Sequence, residues 1–375
     1  MTRIAFYGSS LVSSYWNGAA TYYRGLLRNL SRLGYDITFY EPDAYDRQKH
    51  RDIDAPAWAR SVVYPATAEG LNSAIAEAAK ADVVVKASGV GIYDDELLSG
   101  VMEAAKPQAV RIFWDVDAPA TLAEVRASSE HPLRKALLHI DTVLTYGGGP
   151  PVIDAYTALG ARRCAPIYNG LDPDTHHPVA AETLFAGDLG FLGNRLPDRE
   201  ARVEEFFLKP AALLPQRSFT IGGSGWDDKP MPENVRRLGH VYTHQHNAFN
   251  RSSLAVLNIA RDSMAAIGFS PATRVFEAAG VGACLITDQW EGIEQFFAPG
   301  EEILVARDGQ DVAEIVAELS PEKAQAVGRR ALERVLRQHS YASRAAEVDQ
   351  LLRRELAQRG ERGFAWGRRS RSTSW

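Results

Sequence analysis

The run Phe113-Trp114-Asp115-Val116-Asp117-Ala118-Pro119 places two carboxylates one residue apart at the end of an apolar stretch. A strand-end carboxylate facing a ligand can accept a hydroxyl proton, and an Asp-x-Asp pair can hold a cation. Helix capping competes for the same residue, since Asp is a favoured N-cap and Pro a favoured first helical residue. Asp117 is the first candidate for catalysis and Asp115 the second.

A longer constellation follows: Asn258-Ile259-Ala260-Arg261-Asp262, then Gly268-Phe269-Ser270-Pro271-Ala272-Thr273-Arg274-Val275-Phe276-Glu277-Ala278-Ala279-Gly280. A strand ending near Asn258 and a loop opening a helix at Pro271 would aim backbone N–H groups at an anion. The Ser270 and Thr273 hydroxyls add donors, and the Arg261 and Arg274 guanidiniums suit a diphosphate. Glu277, one helical turn past Arg274, can accept two ribose hydroxyls; the bland alternative is an i,i+3 ion pair. Gly190-Phe191-Leu192-Gly193-Asn194-Arg195 reads as a strand and loop pointing the same way. Gly222 opens another small-residue loop, Gly222-Gly223-Ser224-Gly225. Near the start, Gly8-Ser9-Ser10 and Trp16-Asn17-Gly18 precede a helix, so Ser9, Ser10, Asn17 and Gly18 are candidate ligand contacts. Neither the dinucleotide fingerprint nor the P-loop pattern occurs in these loops. His244 and His246 lack a third ligand at recognisable spacing, so a polar helix face is expected rather than a metal, and His176-His177 reads as linker surface.

These loops need a frame, and the pattern around them supplies one. Arg3–Tyr7, Ile37–Tyr40, Val62–Tyr64, Val83–Val85, Val110–Phe113 and Thr142–Leu144 are short apolar runs with amphipathic stretches between most of them. In the first such stretch Tyr22, Tyr23, Leu26, Leu27, Leu30 and Leu33 recur at helical spacing, and Gly34 follows as a C-terminal cap. The series restarts at Leu189–Leu192, Ser218–Ile221, Leu254–Leu257, Ala283–Ile286 and Ile303–Val305. Continuous apolar strands separated by helices indicate parallel sheets covered on both faces. The fold class is α/β, with two doubly wound Rossmann-like domains in tandem. Such sheets bind ligands beyond the carboxyl ends of their strands, and two facing domains make a cleft.

The expected boundaries are 1–168 for the first domain, 169–180 for a linker and 181–338 for the second domain. A helix over 339–358 carries a narrow apolar stripe that needs the first domain as partner, and 359–375 is an Arg-rich, Ser-rich tail expected to be mobile.

Composition narrows the function classes. The chain has 375 residues, enough for two domains, with 45% apolar and 24% charged residues. The net charge of −5 argues against general nucleic-acid binding. No run of 18 apolar residues exists, so no membrane span is expected. The first residues lack an apolar leader, and only Cys164 and Cys284 are present, so a reduced, cytoplasmic location is expected.

The motifs just quoted resemble those of the CgeB-like glycosyltransferases, named for a spore maturation protein, and are more distantly similar to glycosyltransferase family four. The resemblance rests on Trp114–Pro119, Asn169-Gly170-Leu171-Asp172, Gly190–Arg195 and Ser270–Gly280, with Leu285-Ile286-Thr287-Asp288 after it, and spans about Arg3 to Tyr341. It implies a GT-B fold, with the acceptor on the first domain and a nucleotide sugar, UDP-linked first, on the second. It places Glu277 at the second glutamate of the Glu-x7-Glu pair of family four; the first falls at Phe269, so the pair is broken and a retaining outcome is not implied. The histidine common in that family is replaced by the Asp115/Asp117 segment.

The expected function is transfer of a sugar from a nucleoside diphosphate sugar to a hydroxyl of a glycan, protein or small molecule. The donor-side candidates are Gly193, Asn194, Arg195, Gly222, Asn258, Arg261, Gly268, Ser270, Thr273, Arg274 and Glu277. No cofactor and no metal are expected, because the Asp pair lies in the first half and the phosphate-binding features in the second. The alternatives are a nucleotide-sugar epimerase of the same tandem fold and a non-catalytic nucleotide-sugar-binding protein.

Overall fold

A computed structural model describes residues 1–15 and 17–369, the side chains of 360–369 excepted. Trp16 and residues 370–375 lie outside the described residues. The chain divides into two compact units, one of residues 1–168 with 341–375 and one of residues 169–340.

The first unit begins β1 (Arg3–Tyr7), α1 (Ala20–Arg32), β2 (Asp36–Asp43), β3 (Arg60–Pro65), α2 (Ala68–Ala76), β4 (Val83–Ala87) and α3 (Asp94–Ala104). It continues β5 (Val110–Asp115), α4 (Ala118–Ala127), α5 (Pro132–Ala136), β6 (Thr142–Thr145), α6 (Gly149–Ala158) and β7 (Cys164–Pro166). The seven strands form one parallel sheet in the order β3-β2-β1-β4-β5-β6-β7. The central strands are apolar on both faces because helices cover both: Val83, Val84, Val110 and Ile112 are all fully buried. In α1 the expected stripe is buried at Tyr22, Tyr23, Leu26, Leu27 and Leu30, but Leu33 is exposed because the helix ends at Arg32, with Leu33 as C-cap and Gly34 at φ +94° after it.

The second unit runs β8 (Gly187–Leu192), α7 (Glu200–Val203), a π turn into α8 (Lys209–Leu213), β9 (Phe219–Gly222), β10 (Val235–Gly239), α9 (His246–Ser252) and β11 (Ser253–Asn258). It ends α10 (Asp262–Ile267), α11 (Thr273–Gly280), β12 (Leu285–Asp288), β13 (Leu304–Ala306), α12 (Gly309–Glu318) and α13 (Pro321–Gln338). Its six strands are also parallel, ordered β10-β9-β8-β11-β12-β13. Phe191, Phe207, Phe219, Leu257 and Ile286 centre its core. Two edge strands escape the apolar-run pattern: β7 is only partly buried, and β10 is Val-Arg-Arg-Leu-Gly with both arginines exposed. The stretch 169–180, expected as a linker, packs with the second unit, where Leu171 bridges Ser340 and its N–H donates to His339 O at 2.7 Å.

The last helix, α14 (Tyr341–Arg369), belongs to the first unit and packs on α1. Tyr341, Ala345, Val348 and Leu352 fill the core there, each large side chain worth about 1.5–3 kcal/mol when buried. Gly25 makes room, since a Cβ on it would lie 2.3 Å from the Tyr341 ring. The Tyr35 hydroxyl donates to Asp349 at 2.8 Å. The helix continues past the expected boundary at 358. Arg359, expected to begin a mobile tail, donates to Asp141 at 2.5 and 2.6 Å and to Pro107 O at 3.1 Å. Among the described residues no helix is long and apolar enough to cross a membrane.

Candidate functional site

In each sheet the strand order reverses once, between β1 and β4 and between β8 and β11, and such switch points open a crevice at the carboxyl ends of the strands. In the second unit the β8 loop lines one side. The Arg199 guanidinium lies over the Phe191 ring at 5.7 Å and donates from Nη2 to Asn194 O at 2.8 Å. A Cβ on Gly193 would come within 2.9 Å of that Nη2, so glycine is what admits Arg199. Asn194 Oδ1 accepts the Ser224 N–H at 2.9 Å, and Trp226 Nε1 donates to Gly193 O at 2.7 Å, which ties this loop to the one after β9. Gly222 ends β9, and Gly223 at φ +121° lies so close that a Cβ would sit 2.3 Å from Gly193 O. Arg195 braces the loop, with its two arms on Glu200 at 2.7 Å and Asp228 at 2.9 Å.

The β11 loop lines the other side. Asn258 is buried and donates from Nδ2 to Thr287 Oγ1 at 3.1 Å. The Ala260 N–H donates to buried Asp288, which pairs with Arg202. Burial raises the Asp288 carboxyl pKa, and the Arg202 charge and the Ala260 N–H oppose it. Arg261 is exposed and pairs with Asp198 at 2.5 Å. Gly268 at φ +72° and Phe269 at φ +48° then turn the chain sharply, and the Phe269 ring packs on Gly292, where a Cβ would lie 2.1 Å away. Pro271 stands before the helix rather than in its first turn, because α11 begins at Thr273 with Ala272 as N-cap. Ala272 has no side chain to cap the first turn, and Ser270 makes no hydrogen bond to a described residue.

Charge converges at this helix start. Arg274 is partly buried and has no hydrogen bond or ion pair with a described residue. Desolvation pulls its guanidinium pKa down while Glu277 pulls it back. Arg199 is pushed down by burial first, then by the positive field of Arg274, with Arg261 adding to it. Three guanidiniums thus share a neighbourhood in which, among the described residues, Asp198 and Glu277 supply the opposing charge. Glu277 is not consumed by Arg274 as an ion pair. It faces His176 Nε2 at 3.8 Å, and His176, expected on the linker surface, is 7% exposed. His246, expected on a polar helix face, is lowered in pKa by burial first and by Arg274 next, which places it in the same cluster.

In the first unit the Asp115/Asp117 run splits. Asp115 is fully buried and accepts Ser88 Oγ at 2.8 Å, Thr121 Oγ1 at 2.9 Å, the Asp117 N–H at 3.1 Å and the Tyr156 hydroxyl. Burial raises its pKa, and these donors pull it back. Asp117 is the N-cap residue of α4 but makes no capping hydrogen bond; its carboxylate is exposed. The β1 loop is closed on itself. Ser9 donates to Asn17 Oδ1 at 2.8 Å, Asn17 Nδ2 donates to the Ser10 and Ser13 carbonyls, and Ser10 donates to Glu41 at 3.0 Å. Ser9, Ser10 and Asn17 are buried; Gly18 is exposed. Among the described residues no three His, Cys, Asp or Glu side chains are placed to hold a metal ion.

Residues 199–350 match the family described as "Glycosyl transferase-like". No curated protein matches the chain. Among solved structures it is similar to sucrose-phosphate synthase from Thermosynechococcus elongatus, with 14% identity over 96% of this chain and 100% of that one and a TM-score of 0.66. It is also similar to Anabaena HepE in complex with UDP and glucose, with 14% identity, 94% and 99% coverage and a TM-score of 0.63. T4 phage BGT in complex with its UDP-glucose substrate gives 12% identity, 95% and 99% coverage and a TM-score of 0.59. The fold is GT-B.

Within this GT-B chain the matched segment contains Arg199, Arg261, Arg274 and Glu277. Sequence patterning pointed to the last three and missed Arg199, which follows a Pro-Asp pair that reads as an ordinary helix start. Nothing in the spacing marks that its guanidinium folds back over Gly193. Tyr156 was missed for the same reason: its partner Asp115 is 41 residues away.

Proposed function

We propose that this chain is a glycosyltransferase that moves a sugar, UDP-linked first, from a nucleoside diphosphate onto a hydroxyl acceptor. The observation that carries the reading is Arg274: a guanidinium with no hydrogen bond or ion pair among the described residues, at the start of α11 where Ala272 makes no side-chain cap, with Glu277 one turn on, inside the segment that matches a glycosyltransferase-like family. Diphosphate charge grows as the bond to the sugar breaks, so donors already aimed at it stabilise the transition state. Arg274, Arg199 and Arg261, with the Ser270 and Thr273 hydroxyls, take the diphosphate in this reading. Glu277 accepts the ribose hydroxyls.

The acceptor oxygen bonds to the anomeric carbon, the carbon–phosphate oxygen bond breaks, and the nucleoside diphosphate leaves with the electron pair. The acceptor proton passes to Asp117, whose carboxylate is exposed and uncommitted to capping. Asp115 has a different part, because its oxygens are taken by four donors. Transfer is proposed to need no divalent metal, the arginines offsetting the phosphate charge. The finer resemblance to CgeB-like enzymes, a hexosyl donor and a cytoplasmic setting belong to the same proposal.

The experiment is a panel of nucleotide sugars assayed for nucleoside diphosphate release, with and without hydroxyl acceptors, in chelator. Acceptor-dependent UDP release in chelator supports the reading. Conversion of the donor to an isomer without acceptor would replace it by an epimerase, and activity restored only by manganese would overturn the metal-free step.

A further inference from the structure

The first unit holds a cavity of about 320 Å³ at the carboxyl ends of β4 and β5, walled by α3, α4 and the start of α5. Its lining includes Lys86, Asp94, Asp95, Phe113, Thr121 and His131. Lys86 is 2% exposed, and its ammonium has Asp94 as its one hydrogen-bond acceptor among the described residues. An ammonium carries three N–H donors, and leaving buried donors unmatched is costly. Two of them are therefore open to oxygen atoms brought in by an occupant. The Thr121 hydroxyl on the wall gives its proton to Asp115 and keeps a lone pair for a donor.

The charge of the lining selects among occupants. Lys86 balances Asp94, and His131 Nε2 lies 3.9 Å from Glu124. The His131 Nδ1 accepts the Leu133 N–H at 3.2 Å, which leaves the ring proton on Nε2 toward that carboxylate. Asp95 and Glu96, both lining residues at the exposed rim, have no hydrogen bond or ion pair with a described residue. Asp94, Asp95, Glu96 and Glu124 outnumber the Lys86 ammonium in this lining, so an anion would meet excess negative charge at the rim, while a cation would pair with it. Phe113, Leu98 and Leu133 supply an apolar wall against which the C–H face of a ring can lie. The volume is at the small end of ligand pockets, which fits one ring rather than a chain.

We infer that this cavity binds an aminated sugar ring, its protonated amine on Asp95 and Glu96 and its hydroxyl oxygens on Lys86. Binding itself does not depend on the transferase reading. The role does: on that reading the ring belongs to the acceptor. Ser88 and Thr121 join the cavity wall to Asp115, and Asp115 holds the Asp117 backbone, so an occupant is tied by hydrogen bonds to the segment carrying the proposed base.

The test is an NMR titration of the full chain at pH 6.5 with D-glucosamine, D-glucose and D-glucuronate in turn. Glucosamine is expected to bind about tenfold tighter than glucose, the worth of one charge-assisted hydrogen bond, with glucuronate weakest. In Asp95→Asn/Glu96→Gln, a rim change that spares the buried pair, glucosamine falls to the level of glucose. Glucosamine no tighter than glucose, glucuronate as tight as glucosamine, an advantage surviving the double substitution, or no binding of any of the three overturns the inference. UDP titrated into the same protein reports on the Arg274 site separately, so loss of one reading is told apart from loss of the other.

Discussion

The Asp117 backbone N–H donates to Asp115 Oδ1 at 3.1 Å, so the first carboxylate of the pair holds the chain that carries the second. Side chains at i and i+2 share a face only while the chain stays extended, and β5 ends at Asp115. One carboxylate is buried under four donors and the other is exposed. Asp115→Ala should therefore destabilise the protein by about 3 kcal/mol or more, because it strands buried donors. Asp117→Asn should leave the urea midpoint unchanged and slow turnover about 100-fold or more. Urea unfolding and steady-state rates on both variants check this, and the reverse pattern would exchange the roles.

Lys86 gives stability a pH dependence. Burial pulls its pKa from 10.5 down to about 7, against the fields of Asp95 and Asp115. Between those values the unfolded chain binds the extra proton, so stability rises with pH. The cost of the buried charge is present in full below pH 7 and is released as pH climbs toward 10. Urea unfolding at pH 6.5 and 9.5 should show native stability gaining on that of Lys86→Met as pH rises; parallel changes would remove the burial argument.

Gly193 and Arg199 should behave as one unit in ligand binding. Gly193→Ala puts a Cβ 2.9 Å from the Arg199 guanidinium and displaces it. UDP affinity should drop similarly in Gly193→Ala and Arg199→Ala, and combining them should add little, as for residues sharing one interaction. Calorimetric titration of the three variants measures this. Additive losses would mean that Gly193 acts by some route other than admitting Arg199.

Gly25 should be needed for the α1–α14 contact. A Cβ there lands 2.3 Å from the Tyr341 ring, and overpacking of this kind costs roughly 1–3 kcal/mol. Gly25→Ala should lower the melting temperature, and Gly25→Ala/Tyr341→Leu should recover part of the loss. An unchanged melting temperature for the single substitution would count against close packing of α14 on α1.

The two parallel sheets were legible because central strands covered on both faces must be apolar throughout, as at Val83–Val85 and Leu254–Leu257. Two of the four edge strands, β7 and β10, were not: Arg236 and Arg237 can sit in β10 only because that strand is covered on fewer sides. Arg274 and Glu277 could be read because residue type and one-turn spacing on a single helix mark them without reference to distant chain. Arg199 and His176 could not: nothing in the short stretch after Gly193 marks that Arg199 folds back onto it, and His176 reaches Glu277 only across about a hundred residues of chain. For Ser9, Ser10 and Asn17 residue type pointed to a ligand, yet each is bonded within its own loop or to Glu41. Polar residues in a tight turn satisfy one another as readily as they satisfy a phosphate.

The central claim is that the second unit holds a nucleoside diphosphate on Arg274. Isothermal titration of UDP into the native chain and into Arg274→Ala, with circular dichroism to confirm both are folded, tests it most directly. The account predicts saturable binding to the native protein and a loss of roughly 2–5 kcal/mol in the variant, as expected when a desolvated charge pair loses one partner. Equal UDP affinity in the two folded proteins would contradict it.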